Sequence, residues 1–309
     1  MNLPVAPDFC AVASVELDEP IVGTAAAQTS VWLGIEIRGA WPHDALMSDA
    51  VPEVLREAVR GWAEAIPGFR PQGLRRPGRE RCAEPAVFVA LTHPERDVVV
   101  RLDVRSLEAL AAVDLAALVE TLDAGEVPAS VRVVVEPMAW VCVHGKRDRC
   151  CAKFGTPVYE AASKVPGVEA WYTSHLGGHR FAATLLCLPH GVCYGRVQPQ
   201  QVDALLRDHA TGRVHDLELL RGRTCWSGAS QAAAHFARAY RDAMSIDDVV
   251  PLEESISDDG VIVIVRVGEE RLRVQVERRP LGSEARPSCA KPPAPVKGWF
   301  LVDLEACSA

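Results

Sequence analysis

The stretch Val131–Tyr172, VRVVVEPMAWVCVHGKRDRCCAKFGTPVYEAASKVPGVEAWY, decides the reading of the fold. Val131–Val141 is an apolar run of strand length, Lys153–Lys164 reads as a helix, and Val168–Tyr172 as a short second strand. Further along, Phe181–Leu188 and Val192–Val197 form a hairpin across Pro189-His190-Gly191, and Gln200–His209 is a helix. The order is β-α-β, then a hairpin, then α.

The same order stands upstream. Val31–Ile37 (VWLGIEI) is a strand, and a helix near Pro52–Ala65 carries Val54, Leu55, Ala58 and Trp62 at helical spacing. Ala86–Leu91 and Val98–Val104 are strands around a turn-prone THPERD, and a helix from Ser106 to Leu122 closes the unit. A β-α-β-β-α order with a terminal hairpin is that of a thioredoxin-like domain. The chain is therefore predicted to be α/β, with two related halves of which only the second kept a set of ligands. The first half offers no Cys or His pair; its Gly39-Ala40-Trp41-Pro42-His43 occupies the place of the first ligand loop.

Beyond Thr224 a helix is expected from Ser230 to Met244, with Ala232, Phe236, Ala239 and Tyr240 on its apolar face. Val261–Val267 and Leu272–Glu277 flank Gly268-Glu269-Glu270 as a hairpin, Arg278–Lys297 reads as a Pro- and Gly-rich loop, and Trp299–Leu304 as a third strand. The expected organisation is a degenerate thioredoxin-like domain (1–126), a thioredoxin-like ferredoxin domain (127–228), and a helix with a small β-rich extension (229–309).

Composition narrows the function. The chain has 309 residues, 49% of them hydrophobic and 24% charged, enough for two or three ordinary cores. A formal charge of −8 argues against general binding to nucleic acid or to an anionic membrane, and suits docking to a basic redox partner. MNLPVAPDFCAVASVELDEP lacks the basic and apolar regions of a secretory signal, and no apolar run approaches a membrane span, so a cytoplasmic protein is expected. Ten cysteines are then no disulfide framework. Cys10, Cys82, Cys187, Cys193, Cys225 and Cys307 read as small buried side chains.

The remaining thiols carry a motif. Cys142 and Cys151 are separated by eight residues, Cys142 and Cys150 by seven, and His175 and His179 follow in a loop containing Gly177-Gly178. Thiolate and neutral imidazole are the donors for zinc, copper and iron–sulfur clusters. Zinc knuckles usually place two to four residues between paired cysteines, so the wider loop here embraces a two-iron rhomb more easily than one ion. His144 reads as a loop cap or a partner of a ligand rather than a donor, and Asp148 as a tie to backbone amides. Lys146, Arg147 and Arg149 either steer an acidic partner or are merely solvated. Arg180 and Trp171 either cover the site or pack in the ordinary way. A structural Cys2His2 zinc site and a thiol–disulfide oxidoreductase are the competing readings, the second weakened by the absence of Cys-x-x-Cys at a helix start. No motif selects the pair of carboxylates that glycoside hydrolysis needs.

WVCVHGKRDRCCAKFG and YTSHLGGHRFAATLLCLPHGVCYGRV resemble the sucrase/ferredoxin-like family, a branch of the thioredoxin-like ferredoxins that includes fungal actin-patch-distribution proteins. CAVASVELDEPIVGTAAAQTSVWLGIEIRGAW, LRGRTCWSGASQAA and SCAKPPAPVKGW are similar to its bacterial members. The resemblance implies a 2Fe–2S cluster held by C-x8-C and H-x-G-G-H motifs, here Cys142, Cys151, His175 and His179, with Cys150 the alternative to Cys151. The implied function is a one-electron carrier or redox sensor, working with a redox partner protein, rather than an enzyme with its own substrate. Two imidazoles in place of two thiolates should raise the reduction potential, and their titration should make it fall as pH rises.

Overall fold

The computed structural model describes residues 9–79 and 82–307. A short helix, α1 (Cys10–Glu16), precedes the first half: β1 (Val31–Glu36), α2 (Glu53–Ala65), β2 (Phe69–Arg75), β3 (Val87–His93), β4 (Arg96–Leu102), α3 (Leu107–Ala111) and α4 (Leu115–Asp123). A connecting strand, β5 (Val131–Val133), adds to the edge at β4. The second half follows: β6 (Met138–Cys142), α5 (Arg149–Ala162), β7 (Glu169–Thr173), β8 (Leu185–Leu188), β9 (Val192–Tyr194) and α6 (Val202–Ala210). Then come β10 (Leu220–Arg223), α7 (Gly228–Arg241), and four strands, β11 (Val249–Ser257), β12 (Gly260–Val267), β13 (Glu270–Ala285) and β14 (Ala294–Ala306).

The two halves have the same topology. β1 pairs parallel with β2 and antiparallel with β3, which pairs antiparallel with β4. β6 pairs parallel with β7 and antiparallel with β8, which pairs antiparallel with β9. Each half thus runs β-α-β-β-β-α, one strand more than the β-α-β-β-α order expected from the sequence, and in the first half the added strand is β2. They join through two residue pairs of β2 and β7, Leu74↔Thr173 and Arg75↔Tyr172, into one sheet ordered β10-β9-β8-β6-β7-β2-β1-β3-β4-β5.

Strand alternation gives this sheet two buried faces. Val31, Leu33 and Ile35 of β1, with Ala139 and Val141 of β6, belong to the cluster packed under the helices. Trp32, and Met138, Trp140 and Cys142, belong to a second cluster on the other face. That face folds onto itself: Trp32 lies 6.4 Å from Trp140, and Phe88 of β3 lies 5.5 Å from Trp171 of β7. His190, between β8 and β9, lies 2.6 Å from Asp97 of β4. In a flat sheet strands six places apart would be about 29 Å from one another at ~4.8 Å per step, so the sheet curls until the halves face each other.

α7 packs Ala229, Ala232, Ala233 and Ala237 on Val263, Val265, Leu272, Val274 and Val276 of the C-terminal antiparallel sheet, β11-β12-β13-β14. Past Val276, β13 and β14 extend as a two-stranded ribbon whose tip, residues 286–293, reaches back to the second half.

Several elements differ from the sequence expectation. Val131–Val141 is two strands, broken at Glu136-Pro137, one at the sheet edge and one in its middle. The helix expected over Ser106–Leu122 breaks near Val113, where Asp114 accepts from the amide of Ala117 and caps a new helix. The helix expected from Lys153 starts at Arg149, so Cys150 and Cys151 stand in its first turn and not in a loop. Phe181–Leu188 is strand only from Leu185, because a 3-10 turn occupies His179–Phe181. Arg278–Lys297 is not all loop: Arg278–Ala285 and Ala294–Lys297 are strand.

Candidate metal centre

Cys142 ends β6 on the same face as Met138 and Trp140, four and two residues before it, so strand period alone turns its thiol toward the concave side. α5 passes close above. A Cβ on Gly155 would stand 2.1 Å from the Cys142 carbonyl oxygen, so glycine is what lets helix and strand end approach. Asp148 starts the helix by accepting from the amide of Cys150 at 2.9 Å. Successive residues of a helix point about 100° apart, and the Cys150-Cys151 doublet is divided accordingly. Cys151 faces Cys142; Cys150 faces Cys10 and Cys289.

His175 follows β7 by two residues, and its Nδ1 lies 4.0 Å from Cys142 Sγ and 3.7 Å from Cys151 Sγ. The chain then turns through Gly177 (φ +94°) and Gly178 (φ +68°). A Cβ on Gly178 would lie 2.3 Å from a guanidinium nitrogen of Arg221, which is buried beneath the loop and donates to the Gly177 carbonyl at 3.0 Å. His179 comes next. Its Nε2–H donates to the carbonyl of Pro287 at 2.6 Å, which leaves Nδ1 as the lone-pair nitrogen, 3.3 Å from His175 Nε2.

The thiols of Cys142 and Cys151 are backed by Trp32, Trp140, Trp171 and Leu176. The hydrogen bond from Cys151, and then that with His175, hold the Cys142 thiol well below its ordinary range although burial opposes it. Burial lowers His179, against the pull of Asp148, whose carboxylate is 3.8 Å from Nε2. Arg70 lies over the Trp32 ring and donates to the His175 carbonyl at 3.2 Å.

Among the residues expected at the site, Cys142, Cys151 and His175 come within 4.8 Å of one another, and His179 stands beside His175 rather than against the sulfurs. Cys150 does not join them. The His144 ring does not join the group, but the residue's backbone amide donates to the Cys142 sulfur; its Nε2–H donates to the Pro42 carbonyl at 2.7 Å and its ring meets Trp41 edge-on. Asp148 ties backbone amides, those of Cys150 and Cys289. Arg147 bonds His43, and Arg180 pairs with the buried Glu19 at 2.5 Å. Trp171 is wholly buried, with its indole N–H on Glu169. Sequence reasoning missed Arg70, Arg221 and the Pro287 carbonyl, which hold the histidine loop, and took Cys10 for a plain buried residue. Their one signal was that Cys10, Arg221 and Cys289 fall inside segments already marked by the resemblance.

Two thiols within reach of each other, the His175 imidazole with Nδ1 toward them, and the His179 imidazole beside it are donors that could hold an iron–sulfur cluster or one soft metal ion. A third cluster, Asp97, His190 and Asp247, has the Arg223 guanidinium on Asp97 and His190 Nδ1 at 2.6 Å from the same carboxylate. Among the described residues no helix is long and apolar enough to cross a membrane.

The profile of the sucrase/ferredoxin-like family matches residues 21–222. No curated protein matches the chain. Among solved structures, a cysteine-to-serine variant of the thioredoxin-like [2Fe-2S] ferredoxin from Aquifex aeolicus is similar at 21% identity, over 27% of this chain and 96% of that one, with a TM-score of 0.24.

Proposed function

Since the chain belongs to the sucrase/ferredoxin-like family, we propose that it is a redox protein carrying a 2Fe–2S cluster on Cys142, Cys151, His175 and His179. The observation that carries the reading is the convergence of the Cys142 and Cys151 thiols on Nδ1 of His175, with His179 alongside. Bound there, the cluster would take up and release a single electron, which suits a carrier or a sensor working with a partner protein.

The chain's own residues set the conditions. Cys142 and Cys151 give two thiolates, and the imidazoles add no charge, so electron gain is less opposed than with four thiolates. The Pro287 carbonyl holds the Nε2 proton of His179 and keeps its Nδ1 free to ligate. Deprotonation of the imidazoles at rising pH adds negative charge and disfavours electron gain, so the potential falls as pH rises.

The test is iron, sulfide and zinc analysis with visible and EPR spectra on anaerobically purified protein. About two iron and two sulfide per chain are expected. Cys142→Ala, Cys151→Ala, His175→Ala and His179→Ala each lose the chromophore, while Cys150→Ala keeps it. The reverse result for Cys150 and Cys151 would overturn the ligand assignment. A colourless protein whose zinc disappears with Cys142 and Cys151 would establish the structural Cys2His2 alternative.

A further inference from the structure

Three more cysteines meet on the far side of α5. Cys10 Sγ lies 3.5 Å from Cys150 Sγ, Cys150 Sγ lies 3.2 Å from Cys289 Sγ, and Cys289 Sγ lies 3.7 Å from Cys10 Sγ. Both Asp148 carboxylate oxygens are 3.9 Å from Cys10 Sγ. Cys10 and Cys150 are fully buried, and Cys289 is partly so.

We propose that Cys10, Cys150, Cys289 and Asp148 form a second metal site, separate from the first, that binds one zinc ion through three thiolates and a carboxylate. This inference goes beyond the redox reading and does not depend on it.

The geometry separates the possibilities. Zn–S bonds of about 2.3 Å at tetrahedral angles place sulfurs about 3.8 Å apart. Three sulfurs at mutual separations of 3.2 to 3.7 Å approximate one face of such a tetrahedron. A disulfide would draw two sulfurs together to about 2.05 Å and leave the third idle. A multi-iron cluster would spread the sulfurs well beyond single-ion spacing. Hard cations prefer oxygen, so calcium and magnesium do not suit a thiolate face.

The surroundings also fit a thiolate-bound ion. The amide N–H of Cys10 points at Cys289 Sγ, 3.5 Å away, as an amide does toward sulfur carrying negative charge. Asp148 is steered into place by the amides of Cys150 and Cys289, at 2.9 and 2.8 Å. Zinc entry moves no electron: the three thiol protons pass to solvent as three zinc–sulfur bonds form.

The ion would fasten three distant pieces of chain. Cys10 is on α1, Cys150 is in the first turn of α5 beside Cys151, and Cys289 is on the ribbon tip whose Pro287 carbonyl holds His179. It would therefore be a positioning site for the histidine side of the first centre.

Zinc is measured by inductively coupled plasma mass spectrometry on the full-length protein, purified without chelators. About one zinc per chain is expected, lost in Cys10→Ala and in Cys289→Ala and retained in the Cys142→Ala/Cys151→Ala double variant. Zinc-edge X-ray absorption on the unmodified protein needs no variant and should show three sulfurs and one light ligand. Absence of zinc, zinc that follows Cys142 and Cys151, a two-sulfur shell, or a Cys150–Cys289 disulfide in anaerobic protein would each overturn the proposal. The two readings fail separately: iron absent with zinc still lost in Cys289→Ala rejects only the cluster, and iron present without zinc rejects only this site.

Discussion

The two halves share a topology and differ in what they place at one spot. In the second, β6 ends on Cys142, and the loop after β7 brings His175 to it. In the first, β1 ends on Glu36, and the loop after β2 brings Arg79 to it, at 3.1 Å. The scaffold thus brings the ends of its first two strands together in either case, and side chains alone decide whether the meeting is an ion pair or a set of metal donors. The halves also differ between first strand and helix. Residues 37–52 form the longer connection, and its Trp41 and Pro42 pack on His144 of the shorter one, residues 143–148. The half without the thiol and imidazole group is therefore a wall of the half that carries it.

This comparison can be broken at matched positions. Gly178→Ala puts a side chain at positive φ and into the buried Arg221 guanidinium, so the histidine loop must move. Most of the bound iron should be lost, read by metal analysis against unmodified protein. Iron retained at the unmodified level would mean that the glycine loop does not position the histidines.

Glu36→Ala addresses the ion pair. Glu36 is buried and also accepts from the Ala86 amide at 2.8 Å, whereas Arg79 can reach water. A loss of about 2–3 kcal/mol in urea unfolding is expected, with iron content per folded chain unchanged. Iron lost in step with stability would show that the first half does more than serve as a wall.

His209, on α6, has no histidine counterpart on α4 and sharpens the contrast in acid. Burial holds its pKa down to about 3, from 6.5. The folded state thus refuses a proton that the unfolded chain accepts, so stability is complete above 6.5 and declines as pH falls toward 3. His209→Gln can keep a donor for the Leu188 carbonyl. Its urea midpoint should fall less than that of unmodified protein between about pH 7 and about pH 4.

The smallest effect belongs to Gly39→Ala. This glycine also has positive φ, but nothing lies within 4 Å of an added Cβ. Only backbone strain of about 1 kcal/mol is expected, seen as a small shift in unfolding midpoint with iron untouched.

The doubled run of strand, helix, terminal hairpin and helix was legible because β1, β3, β4 and β6 are apolar runs and the helices keep helical spacing. β2 was not, since FRPQGLR lacks alternation and contains Pro71 and Gly73. Proline is tolerated there because β7 pairs only with Leu74 and Arg75, so Pro71 has a ladder on one side alone. The ribbon of β13 and β14 was read as loop because Pro280-Leu281-Gly282-Ser283 and Pro292-Pro293 look like turn chemistry, and its buried apolar side chains, Ala285 and Val296, are too few to mark strands. At the site, local motifs were readable and distant ones were not. Cys142, Cys151, His175 and His179 announce themselves by spacing. Cys10 and Cys289 stand 279 positions apart, and each by itself looks like any small buried residue.

The hydrogen bond from His179 to the Pro287 carbonyl has a consequence for biosynthesis. A ribosome that has just finished the histidine loop has not yet made the segment that orients it, and the two meet only after the ribbon tip has emerged. Loading of the proposed cluster would thus wait for the ribbon tip, and a chain cut short before residue 287 would leave one imidazole unsupported.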